Sequence, residues 1–226
     1  MEMSSSPSQR TLLIFSILFL ACFLLVTLFR GSFAAVNLEV NMWAASIHAD
    51  FFTFLAKGIS FTLDATVLGA ASVVLAAILI IKKRRRYGVL LLGAMAGDVL
   101  LVQMCKTLIA SPRPINEILA ETGYSFPSGH VTGSVVFFGV LTYFAWTHWR
   151  SAQVKASTAG LYVAIVAVVG FDRIYLNVHW LSDITGAVFL GVFWLIFSIL
   201  VFKNLLQNGR FQRFLLPNAK QKAKPT

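Results

Sequence analysis

"GFDRIYLNVHWLSD", Gly170 to Asp183, lies between two stretches apolar enough to sit in hydrocarbon, yet it holds Asp172, Arg173, His179 and Asp183. Charge at the centre of a membrane helix costs about 2.5–3.5 kcal/mol per residue, and less near the ends. Such a group therefore either marks a site or shows that its flanks are not membrane spans. The rest of the chain decides between these.

Hydrophobic residues make up 58% of the 226 positions and charged residues only 12%, with a mean hydropathy of +0.77. Those values exclude an ordinary water-soluble domain. Apolar runs of about 18 residues or more cover Thr11–Phe29, Ile59–Ile81, Tyr87–Cys105, Ser128–Trp146, Thr158–Leu176 and Leu181–Phe202. Six spans with short connections predict one all-α integral membrane domain over 1–226, its core about 11–203 and a basic tail over 204–226. The first run exceeds the apolar core of a signal peptide, about 7–15 residues, and is expected to remain as a helix.

Lys and Arg set the orientation. Fourteen of the nineteen basic residues fall on one side: Arg10, the run "KKRRR" (Lys82–Arg86), Arg150, Lys155, Lys203 and the tail residues Arg210, Arg213, Lys220, Lys222 and Lys224. Arg30, Lys57, Lys106, Arg113 and Arg173 fall on the other. The positive-inside rule then predicts a multi-pass plasma-membrane protein with both termini cytoplasmic. The net charge of +10 reads as this topology signal and as attraction to anionic headgroups of the membrane lipids. No nucleic-acid partner is expected, because the tail carries no interleaved aromatics or folded basic surface. Cys22 and Cys105 read as small buried hydrophobes, at depths too different for a disulfide.

The charges on the outer side form three clusters. "KTLIASPRP" joins Lys106 to Arg113, where Pro112 and Pro114 end any helix and stiffen the turn. "YSFPSGHVTG" opens the fourth span with Pro127, Ser128, Gly129 and His130. Arg173, His179 and Asp183 return to the same level. Three cations and a helix N-terminus form an anion cradle, with the backbone N–H groups of Ser128, Gly129 and His130 pointing at the ligand. Arg113 and Arg173 suit bidentate contact with phosphate oxygens and Lys106 supplies a compact charge.

His179 and Asp183 stand four apart on one helical face. Asp183 can take the Nδ1 proton and leave Nε2 lone-paired and nucleophilic, while His130 protonates a leaving oxygen and later activates water. The sequence carries no metal-binding motif, and fixed cations can stabilise a transferring phosphoryl group. Metal-independent hydrolysis of a phosphate ester or anhydride, with no cofactor, is the expectation.

The same clusters resemble the signature of the type 2 phosphatidic acid phosphatase family, whose relatives include vanadium haloperoxidases and glucose-6-phosphatase. Its K-x6-R-P motif matches Lys106 to Pro114, its P-S-G-H motif Pro127 to His130, and its S-R-x5-H-x3-D motif Arg173 to Asp183. The resemblance implies an acid phosphatase/haloperoxidase-like helical core. It also implies His179 as nucleophile, Asp183 as its orienting partner, His130 as general acid, and Lys106, Arg113, Ser128, Gly129 and Arg173 as phosphoryl ligands. The motif's serine is Asp172 here, and adjacent helical residues point about 100° apart, so Asp172 is expected to face another helix.

The remaining expectations are local. Val36–Leu55 reads as one amphipathic helix lying at the outer surface, with His48 on its polar face. The loop from Ile115 to Phe126, carrying Glu117, Glu121 and Tyr124, is placed to act as a lid or rim. Asp64 and Asp98 fall within spans, where interhelical hydrogen bonding is expected. A site at this depth suits a lipid phosphate substrate. Small members of the family imply polyprenyl diphosphate, of the undecaprenyl type, and others imply phosphatidylglycerophosphate or phosphatidate. A lipid transporter or scramblase is the alternative of another class; it predicts a polar stripe through the bilayer.

Overall fold

The computed structural model describes residues 8–207. Eight α-helices and one short 3-10 turn account for its regular structure, with no strand among the described residues. They are α1 (Gln9–Leu28), α2 (Ala34–Ser46), α3 (Asp50–Thr62), α4 (Ala65–Ile81), α5 (Arg85–Ile109), α6 (Gly129–His148), α7 (Ala152–Tyr175) and α8 (Leu181–Gln207). Helices α1, α5, α6, α7 and α8 are each long and apolar enough to cross a membrane. At 1.5 Å per residue even the shortest of them, 20 residues, matches a hydrocarbon core of about 30 Å.

The predicted second span is corrected. The run Ile59–Ile81 is broken at Leu63 and Asp64, and α3 meets α4 at 46°. The six-span count holds only if this bent pair is taken as one span. The physical cause is capping: Asp64 adopts an extended backbone and its carboxylate accepts the Thr66 N–H at 2.8 Å, satisfying a donor that a continuous helix would have used internally.

The predicted amphipathic helix over Val36–Leu55 is likewise two helices, separated at Ile47–Ala49. The first of them, α2, is turned opposite to a soluble amphipathic helix. Asn37 and Asn41 are buried, whereas Val36, Leu38, Met42 and Trp43 are exposed. Asn37 and Asn41 hold the turn that carries His179, and most of its large apolar side chains face outward.

Helix α6 is the centre of the bundle, packed against α4, α5, α7 and α8, while α1 lies along α8. Small residues permit that closeness. A Cβ on Gly191 would come within 2.8 Å of Val135, and one on Gly186 within 2.6 Å of the Phe126 ring. Leu91, Val136 and Val140 fill the centre between α5 and α6. Asp98 is buried on α5 and faces α6, its Oδ2 3.8 Å from where a Cβ on Gly133 would stand.

The two ends of the bundle differ in kind. At one end the "KKRRR" turn joins α4 to α5, and Tyr87 at the start of α5 lies 3.3 Å, hydroxyl to hydroxyl, from Thr147 at the end of α6. At the other, the C-termini of α5 and α7 meet the N-termini of α6 and α8 through the loop from Ser111 to Ser128. Ser125 pins that loop by donating to Pro112 O at 2.8 Å. Helix α8 runs past the expected Phe202 to Gln207. The rest of the tail, with Arg210, Arg213, Lys220, Lys222 and Lys224, lies outside the described residues. Cys22 and Cys105 are both free.

Candidate active site

Helix α5 ends where Ala110 takes a left-handed conformation and the Pro-rich turn follows. This leaves Lys106 in its last turn and swings Arg113 back over the bundle. Arg113 donates to Val178 O at 2.9 Å, Gly123 O at 3.1 Å and Thr122 O at 3.2 Å. The guanidinium is thus fixed by backbone carbonyls on both sides before any ligand is considered.

The turn between α7 and α8 holds His179. Asn177 takes a positive φ of 54°, a conformation that Asn tolerates better than most residues, and its side chain donates to Ile115 O at 2.9 Å and Asn116 O at 3.1 Å. From α2, Asn41 donates to Asn177 Oδ1 at 2.6 Å. Asn37 donates to Ser182 Oγ and accepts from Ser182 N–H, both at 3.0 Å. Asp183 accepts the Trp180 N–H at 2.9 Å with Oδ2, so one carboxylate caps α8 and faces the imidazole.

His179 is 1% exposed and Asp183 fully buried. The His179 Nδ1–H donates to Asp183 Oδ2 at 3.3 Å, and Arg113 Nη1 donates toward Nε2 at 3.5 Å. A carboxylate only accepts and a guanidinium only donates, so this pattern selects the Nδ1–H tautomer with the Nε2 lone pair free of a proton. Burial pushes the His179 pKa below its ordinary 6.5, against the opposing hydrogen bond and charge of Asp183.

Arg173 is fully buried. Its Nη1 donates to Glu121 Oε1 at 2.7 Å and toward His130 Nε2 at 3.2 Å. Asp172, expected to face another helix, is buried and is paired with its own neighbour. Its Oδ2 accepts from Arg173 Nε at 3.0 Å and pairs with Nη2 as well. The guanidinium is long enough to fold back onto the adjacent carboxylate, which removes much of the local repulsion toward an anion.

Ser128 and Gly129 open α6. The Ser128 N–H is directed at Asp183 O at 3.5 Å and so does not point at a ligand as expected; its buried hydroxyl has no hydrogen-bond partner. Gly129, His130, His179, Arg113 and Lys106 all line one cleft of about 520 Å³. All the residues predicted from the three motifs therefore gather at one end of the bundle, with Arg173 behind His130 and Asp183 behind His179.

Two carboxylates in the cleft were not read as site residues. Glu121, expected on a rim, bridges both arginines, its Oε2 lying 3.1 Å from Arg113 Nη2. Burial raises its pKa, but His179, His130, Arg173 and Arg113 together outweigh this and hold it below the ordinary 4.5. Asp64, expected to bond between helices mid-span, stands at the α3–α4 break with Oδ2 3.4 Å from His130 Nε2. The "LDAT" sequence carries an N-cap signature that could have revealed the break; nothing local marks Glu121. His48 stays outside the cleft, its Nε2 2.7 Å from Tyr175 O. Among the described residues, no group of three or more His, Cys, Asp or Glu side chains could hold a metal ion.

Comparison with known proteins agrees with this architecture. Residues 87–207 match the PAP2 superfamily. Phosphatidylglycerophosphatase B of Bacillus subtilis is 32% identical over 135 residues, 56% of this chain and 66% of that protein. An undecaprenyl-diphosphatase of Sulfolobus acidocaldarius is 31% identical over 129 residues, 52% of this chain and 56% of that protein. The chain thus spans less than two thirds of either curated relative. The crystal structure of a transmembrane PAP2 type phosphatidylglycerolphosphate phosphatase from Bacillus subtilis superposes with a TM-score of 0.74 at 22% identity, covering 86% of this chain and 96% of that one. That of Aquifex aeolicus LpxE gives 0.55 at 23% identity, covering 73% and 94%. These two likenesses establish the shared fold.

Proposed function

The chain belongs to the PAP2 superfamily, and on that premise we propose that it is an integral membrane lipid phosphatase acting through a phosphohistidine on His179. The observation that carries this reading is the buried His179–Asp183 pair, with Nε2 lone-paired beside Arg113, in the same cleft as His130.

The Nε2 lone pair attacks phosphorus as the bond to the lipid-side oxygen breaks, and that oxygen takes its proton from His130. Lys106, Arg113 and Arg173 hold the phosphoryl oxygens as charge shifts onto them, and the Ser128 hydroxyl and Gly129 complete the cradle. Water then attacks the phosphohistidine and gives a proton to His130. The P–N electron pair returns to Nε2, orthophosphate leaves, and His130 is again protonated. No metal or cofactor takes part in this scheme.

The preferred substrate is a polyprenyl diphosphate of the undecaprenyl type, converted to the monophosphate. Lys57 lines the cleft beyond the cations that the motifs supply, and a diphosphate brings the extra charge to meet it. The relative named undecaprenyl-diphosphatase supports the same choice. Phosphatidylglycerophosphate is the second reading, supported by the relative named phosphatidylglycerophosphatase B. The reading extends to a plasma-membrane protein with the cleft extracytoplasmic and both termini cytoplasmic, which the position of "KKRRR" at the end of the bundle away from the cleft supports.

The test is phosphate release in detergent with EDTA present. It compares kcat/KM for polyprenyl diphosphate, phosphatidylglycerophosphate and phosphatidate as pure lipids. Lipid flipping without any release would support the transporter alternative and overturn the phosphatase.

A further inference from the structure

His130 Nε2 has two neighbours with opposite demands. Arg173 Nη1, at 3.2 Å, is a donor and favours the neutral ring. Asp64 Oδ2, at 3.4 Å, is an acceptor and favours the protonated ring. We infer that Asp64 is a positioning residue for the proton cycle of His130, holding the imidazolium as a charge partner while Arg173 accommodates the imidazole. This rests on the phosphatase reading and adds to it a residue outside the three motifs.

The four charged or titratable groups around the ring come from four separate elements: Arg173 from α7, Glu121 from the loop before α6, Asp64 from the α3–α4 break and His179 from the α7–α8 turn. Of the two carboxylates, Glu121 already pairs with Arg113 and Arg173, cations that a phosphoryl group would claim. Asp64 has no such competitor. Its other oxygen is held by the Thr66 N–H at 2.8 Å, and its side chain, 37% exposed, lines the cleft mouth. The helix break therefore fixes a carboxylate that both touches His130 and meets water. It provides a route by which the proton taken from the attacking water can exchange with solvent.

The test is Asp64→Asn. Asn caps a helix about as well as Asp, so α4 should start normally and the detergent melting temperature should stay within a few degrees of wild type. With a lipid phosphate, kcat should fall roughly tenfold or more with little change in KM, because part of the general-acid advantage of about 10²–10⁴ is lost. The alkaline limb of the kcat profile should move about one pH unit lower, since removing a unit charge at this range shifts a titration by roughly that much. An aryl phosphate with an acidic leaving group needs no protonation, so its leaving-group burst, which reads the phosphorylation step alone, should hardly change.

Unchanged lipid kcat and pH profile in the variant, or an aryl phosphate burst slowed as much as the lipid kcat with no movement of the limb, would overturn the assignment. Wild-type phosphate release is measured first. Its absence sinks the phosphatase reading itself, whereas a normal Asp64→Asn enzyme sinks only the role of Asp64.

Discussion

The Glu121 carboxylate stands 2.7 Å from the Arg173 guanidinium, inside the group of cations that the motifs assign to phosphate. Its second oxygen reaches Arg113 at 3.1 Å. A carboxylate shared by two guanidiniums mimics an anion with two oxygens in the same seats. On the proposed reading, an incoming phosphoryl group would compete with it for the two guanidiniums.

Glu121→Gln should therefore tighten inhibition by orthophosphate, lowering its inhibition constant by about three- to tenfold, the range expected for removing a partly exposed competing charge. Weaker inhibition in the variant would show that Glu121 organises the two arginines instead of competing for them.

His179→Ala should lower phosphate release by at least about 10³-fold, since it removes the Nε2 lone pair that Asp183 orients through Nδ1. Asp183→Asn should cost about 10²–10⁴-fold by destabilising the Nδ1–H tautomer. Both are read as kcat in detergent, with retained helical circular dichroism as the control. Normal turnover in His179→Ala removes the nucleophile assignment.

The pH dependence follows from burial of His179. With its folded pKa held below 6.5, the neutral, nucleophilic ring persists under mildly acid conditions. The acid limb of kcat/KM assigned to this group should accordingly fall below pH 6.5. For stability, the unfolded chain binds more protons than the native one between the folded pKa and 6.5, so stability rises with pH through that window and levels off above it. Glu121, held below 4.5, adds a second loss of stability as pH falls further. Thermal melting between pH 4 and 8 checks the sign, and His179→Ala should flatten the upper part of the slope.

Asn37→Leu should destabilise the α7–α8 turn. It removes the acceptor for the Ser182 N–H and the donor to Ser182 Oγ, leaving buried polar atoms unpaired at a cost of about 1–3 kcal/mol. The melting temperature should drop, and kcat should drop with it because the same turn carries His179. A variant with lower stability but full kcat would separate α2 from the positioning of the nucleophile.

The sequence revealed more of the motif chemistry than of its surroundings. The motif residues were legible because their spacings lie within single turns: His179 and Asp183 across one helical turn, Lys106 and Arg113 across one Pro-stiffened connection, Ser128 to His130 at one helix start. Asp64 was legible only in part. Its N-cap signature was present, but the long apolar run around it read as a continuous span. The pairing of Asp172 with Arg173 was not legible, because side-chain length, which lets the guanidinium fold back, is not visible in a spacing rule. The burial of Asn37 and Asn41 on α2 could not be read either, since hydropathy alone gives no indication of which face of an apolar helix meets protein.

The sequence by itself determined that the chain is a helical membrane bundle, and it predicted that most of its basic residues fall at one end and its chemistry-bearing ones at the other. Those properties depend on hydrophobic run length, the sum of charges and local periodicity, all of which are properties of segments. The tertiary structure alone decided that Glu121 lies between Arg113 and Arg173 and that Asp64 meets His130. These pairs are 8, 52 and 66 positions apart, and such contacts exist only once packing around α6 and the break before α4 bring their elements to the same end of the bundle.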